Sequence, residues 1–134
     1  MNNKSIFIAG TLALTLSGQA VFAQSVTPMR AVAKSMTDEF AVRLTVGNPY
    51  NKAVTFNVLA FDENYEPVDA IIVPSKLRIG SRDTKQIVVR FPFEGKPMRK
   101  VRVCAEGLFS QNNNTAIRTQ VCGRYLGQRL GFVQ

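Results

Sequence analysis

Residues 40–91 read FAVRLTVGNPYNKAVTFNVLAFDENYEPVDAIIVPSKLRIGSRDTKQIVVRF. Val42, Leu44 and Val46 alternate with Arg43 and Thr45, and Phe40 keeps the same phase. After a turn cluster at 47–52, Val54, Phe56, Val58 and Ala60 alternate with Thr55, Asn57 and Leu59. A period of two puts one apolar face toward a core and one polar face toward water, the mark of a half-buried strand. A turn at 62–67 leads to a short strand at 68–73, stopped by Pro74. Leu77 and Ile79 alternate before a turn at 80–83, and Ile87, Val89 and Phe91 alternate before Pro92. Asp62-x-Asn64-x-Glu66 lacks the glycine and the distal glutamate of a calcium loop and reads as a plain turn.

The same rhythm continues outward. Val101, Val103 and Ala105 alternate with Arg102 and Cys104, a polar loop is expected at 110–115, and Ile117, Thr119, Val121, Gly123 and Tyr125 share one face of a last strand. No segment sustains a helical period, and 31–36 is too short to assign. Short strands punctuated by turns predict an all-β chain, an immunoglobulin-like antiparallel β-sandwich of about seven strands.

Residues 1–23, MNNKSIFIAGTLALTLSGQAVFA, have a positive start at Lys4, an uncharged apolar stretch and Ala23 at a cleavage position, the pattern of a secretory signal peptide. The apolar stretch is shorter than the roughly 20 residues that a spanning helix needs. The expected organisation is a signal peptide at 1–23 and a single immunoglobulin-like domain at 24–134, exported, with no transmembrane segment in the mature chain. The expected location is periplasmic, or alternatively extracellular or at the cell surface. Loss of Lys4 takes the formal net charge from +8 to +7.

The chain has 46% apolar and 19% charged residues, two cysteines and no histidine. Without histidine there is no Ser-His-Asp or Cys-His relay, no His-ligated zinc and no histidine pH switch. Carboxylate-only chemistry would need two acids facing across a cleft, and Asp38, Glu39, Asp62, Glu63, Glu66, Asp69, Asp83, Glu94 and Glu106 fall mostly in turns. The expectation is a non-enzyme with no catalytic residue, no metal and no cofactor.

Cys104 shares its strand phase with Lys100 and Arg102, and Cys122 shares its phase with Arg118, Gln120 and Arg124. If the two strands form a hairpin, both thiols point to the same side of one sheet, within reach of a disulfide. Such a bridge would stabilise by about 3 kcal/mol in the chain-entropy model. An exported chain favours that structural role.

The order alternating strand, Asn48-Pro49, alternating strand, Pro74-x-x-Leu77-x-Ile79 and a strand led by Lys85 resembles the N-terminal domain of the PapD-like periplasmic pilus-assembly chaperones. That resemblance implies a protein that lends its last strand to an incomplete fibre subunit. It implies Ile117, Thr119, Val121 and Tyr125 as the donated face. It also implies Arg30 and Arg124 as holders of the partner's terminal carboxylate, with an arginine where the family has lysine at the second place. The family carries a second sandwich domain, whereas a single one is expected here. The alternative is a secreted or envelope-located structural or adhesion module, or a fibre subunit, with no chaperone cycle. A chaperone should leave the last strand at an accessible edge with the two arginines converging. A structural module should bury that strand and let them diverge.

Basic residues gather late, at Lys96, Arg99, Lys100, Arg102, Arg118, Arg124 and Arg129, whereas Asp62, Glu63, Glu66 and Asp69 form a separate acidic turn. The asymmetry points to an anionic partner. Export makes nucleic acid an unsuitable one and a protein the expected one. Mass spectrometry of the exported protein should find no alkylatable thiol before reduction; two free thiols would remove the bridge.

Overall fold

The structure, a computed structural model, describes residues 24–112 and 115–131. The signal peptide read at 1–23 lies outside the described residues. The strands are β1 (Ser25–Thr27), β2 (Arg30–Ser35), β3 (Glu39–Gly47), β4 (Val54–Asp62), β5 (Ile71–Val73), β6 (Lys76–Ile79), β7 (Thr84–Pro92), β8 (Met98–Asn112) and β9 (Thr115–Arg129). They form a four-stranded sheet in the order β1-β3-β7-β5 and a five-stranded sheet in the order β2-β9-β8-β4-β6. The fold is all-β, an immunoglobulin-like sandwich.

The alternating residues of the sequence face each other between the sheets. Phe40, Leu44, Phe56, Ile79, Ile87, Phe91 and Phe93 are all buried. The Phe40 ring stacks on Phe91 at 5.3 Å and tilts against Phe93 at 4.8 Å. Asn48 explains the turn between β3 and β4. It is buried, and its side-chain amide donates to the carbonyls of Lys52, Ile79 and Gly80 at 2.8–3.0 Å while its Oδ1 accepts the Tyr50 N–H. A buried polar side chain is tolerable when every group has a partner, as here.

Three departures from the sequence reading have physical causes. The segment left unassigned around 31–36 is a strand, β2, and a further strand, β1, precedes it. β1 pairs antiparallel with β3, and β2 crosses to the other sheet, where it pairs parallel with β9. Pro28 lies at the crossing, and a residue without an N–H cannot carry a ladder through. The strand expected at 68–73 shrinks to Ile71–Val73, with Val68 and Ala70 packing on the core from irregular backbone. Pro74 then separates β5 from β6, which sit in different sheets. The sandwich thus has nine strands among the described residues, against the roughly seven expected. Finally, strand pairing runs to Asn112 and resumes at Thr115, so the hairpin reaches well into the expected loop.

β9 carries two glycines on its inner face, each making room for an aromatic ring. A Cβ at Gly123 would collide with Tyr125, and one at Gly127 with Phe40. Tyr125 is 2% exposed and its hydroxyl donates to the Pro28 carbonyl at 2.6 Å, tying the last strand to the point where the first one changes sheets. Burial pushes its phenol from the ordinary 10.0 up to about 12.

Two outcomes follow. Gly127→Ala should lower stability in urea unfolding by about 1–3 kcal/mol, the usual range for overpacking, because the methyl meets a ring held between Phe91 and Phe93. For Tyr125, the folded state keeps a proton that the unfolded chain releases above pH ~10, so this contribution is intact below that pH and is lost as pH rises toward the folded value. Tyr125→Phe should cost about 0.5–1.5 kcal/mol at neutral pH and flatten the decline in stability between pH ~10 and ~12 relative to wild type.

Candidate functional site

β9 is flanked by β8 along its whole paired length, but β2 covers only residues 124–129 on its other side. Among the described residues, 115–123 are therefore a free edge of the five-stranded sheet. The Arg124 N–H donates to Met29 O at 2.8 Å and so points away from β8. The alternation of an antiparallel ladder gives Cys122, Gln120 and Arg118 the same outward orientation. Among the described residues no strand pairs with their outward amides and carbonyls, the condition for adding a strand from another chain.

The disulfide lies beside this edge. Cys104 and Cys122 are bonded at 2.05 Å and face each other directly across β8 and β9. Their Cα–Cα distance of 4.0 Å is that of the narrow, non-hydrogen-bonded kind of pair, in agreement with the outward amide of Cys122. The bridge pins the free half of β9 to β8.

Ile117 is 37% exposed, whereas Val121 is half-buried and packs on the core. The Thr119 hydroxyl donates to Gln24 Oε1 at 2.5 Å, and the Gln24 amide donates to Ala105 O at 3.0 Å, so Gln24 closes the space beneath the edge. The sequence carried no signal for this role of Gln24. Tyr125 is core, its hydroxyl held by Pro28, and it is not brought to the edge with the other three.

The arginines converge. Arg30 on β2 is the register partner of Arg124 on β9, which is in turn the partner of Arg102 on β8. Register partners point to the same face, so three arginines stand in a row across three adjacent strands, on the outer surface. They line an open hollow of about 610 Å³, with Val32, Leu126 and Lys100 in the next row. The acidic turn that seemed separate in sequence folds against this hollow, because β4 pairs with β8. The Asp62 carboxylate shapes it by accepting the N–H groups of Asn64 and Glu66. Tyr65, with a positive φ of 61°, presents its ring 4.3 Å from the Arg102 guanidinium. Arg102 Nε and Nη2 donate to Glu63 O at 3.4 and 3.2 Å, and Lys100 Nζ lies 3.7 Å from the Glu63 carboxylate.

Three other late cations are engaged elsewhere. Arg99 is buried, donates to Pro92 O and pairs with Glu94; Arg118 pairs with Glu106 and Arg129 with Asp38. Arg30 and Arg124 make no ion pair among the described residues. The described residues contain no group of three side chains able to hold a metal ion, and no helix among them is long and apolar enough to cross a membrane.

No protein-family model and no curated protein sequence matches the chain. Its fold does match solved structures. The Escherichia coli chaperone DraB aligns at a TM-score of 0.69 and 16% identity, over 84% of this chain and 58% of that one. A chain from the complex of the Salmonella enterica SafA pilin with the SafB chaperone aligns at 0.66 and 13% identity, over 87% and 59%. The PapD-like domain 7 of human CEP192 aligns at 0.62 and 8% identity, over 96% and 100%. The chain thus spans just under three-fifths of the two bacterial structures and all of the human domain. At these identities the likeness is one of fold: the sandwich is similar to that of the pilus chaperones and of the human PapD-like domain.

Proposed function

We propose that this is an exported, periplasmic assembly chaperone for fibre subunits, acting by β-strand donation from the free half of β9. The observation that carries the reading is the adjacency of that unpaired edge to the Arg30–Arg124 pair. Backbone groups of Arg118, Gln120 and Cys122 would bond the incoming strand. Ile117 would contribute the accessible apolar contact, with Thr119 and Val121 following as the partner displaces their present neighbours. Tyr125 would act from the core by fixing the end of the edge. Arg30 and Arg124 would hold the terminal carboxylate of the partner, a geometry suited to arginine's planar fork. The chaperone likenesses support this reading, one of them from a complex of a pilin with a chaperone.

A second reading has its own support. A PapD-like domain of human CEP192 has a similar fold, and a fold alone does not fix a function. The burial of Tyr125 and Val121 also favours a structural envelope module.

Co-expression of the full chain with an immunoglobulin-like fibre subunit that lacks its last strand separates the two. An equimolar complex should form. Gln120→Pro removes an outward N–H from an exposed position and should abolish it. Arg30→Ala combined with Arg124→Ala should weaken it by at least about tenfold, which corresponds to ~1.4 kcal/mol. Both variants should keep the thermal unfolding of the wild type. A chain that remains alone, or a complex that survives both variants, overturns the reading.

A further inference from the structure

The row of arginines is an arrangement that folding alone disfavours. Like charges directly opposite on neighbouring strands destabilise a sheet, and here the arrangement occurs twice, Arg30 against Arg124 and Arg124 against Arg102. With Lys100, four cations border one hollow that contains a single acid, Glu63. That acid belongs to Lys100 through an exposed contact, and exposed pairs are weak. One carboxylate bound between Arg30 and Arg124 leaves the third arginine unmatched.

Arg102 is also the most firmly placed of the three. Its guanidinium lies over Tyr65 and is held by the Glu63 carbonyl through Nε and Nη2, which leaves Nη1 with no partner among the described residues. The side chain is fixed by groups that do not neutralise it. A carbonyl and a ring orient a guanidinium while its charge stays available. Beside it, Val32 is 54% exposed and Leu126 half-buried, an apolar shelf in the next row of the same face.

We propose that this hollow selects a ligand with two adjacent carboxylates, a peptide C-terminus whose last residue is itself Asp or Glu. The terminal carboxylate occupies Arg30 and Arg124, and the acidic side chain takes Arg102. This rests on the strand-donation reading for the first carboxylate and adds the second, with Tyr65 and the Glu63 carbonyl as the groups that position Arg102.

Nuclear magnetic resonance titration of the full chain with short synthetic peptides tests it. Three peptides share one apolar body and end in free-acid Glu, free-acid Gln, or Glu amide. The Glu acid should bind about tenfold more tightly than the Gln acid, in keeping with a charge-assisted hydrogen bond. Arg102→Gln should bring that ratio close to one while the preference for free acid over amide persists. Arg102→Lys, which keeps the charge but loses the fork, should give an intermediate ratio. Equal binding of Glu and Gln acids by wild type, or a ratio untouched in both variants, overturns the proposal. So does a polyphosphate chain that binds the hollow as tightly as the Glu acid does. Failure of the strand-donation reading shows separately, as unmoved amide signals of Arg118, Gln120 and Cys122 with every peptide.

Discussion

The place where β2 stops covering β9 governs much of this molecule. The first strand leaves one sheet at Pro28 and joins the other at Arg30, and the Tyr125 hydroxyl fastens that crossing to the last strand. Had β2 begun earlier, the last strand would have been an interior strand with every backbone group satisfied. Because it begins at Arg30, the end of the covered segment and the start of the open one coincide at Arg124. The edge and the basic row are therefore consequences of one crossover, and neither can be moved without the other.

Much of the sandwich was legible in the sequence, because period-two burial is a local property. Phe40 to Val46 and Val54 to Ala60 face the core in the expected phase. The cysteine pair was legible for the same reason, since matching parity on two adjacent strands is all a cross-strand bridge requires. What failed was longer in range. Nothing local says that a first strand will divide between sheets, although Pro28 was there to suggest it. Nothing local places the acidic turn against the basic strands, since that contact follows from β4 pairing with β8.

The candidate site was partly legible. Arg30 and Arg124 came from a resemblance, and register makes them neighbours. Arg102 was seen to share a face with Arg124, but its role depends on Tyr65 and Glu63, some forty positions away in the chain. Tyr125 was misjudged because alternation tells which residues share a face, and not whether that face is open. Gln24 gave no signal because a single polar residue before a strand has many possible uses. Arg99 looked like part of the basic face; strand parity puts it inward, where Pro92 and Glu94 compensate its burial.

An unpaired strand is also a hazard, since its backbone will accept any extended chain of suitable shape, a second copy included. Here the open segment contains Arg118 and ends at Arg124, within a chain of net positive charge. Two copies brought edge to edge would press like charges together, which opposes self-association through that edge. On the proposed reading, the residues that would hold an acidic guest also turn away a second copy of the same edge.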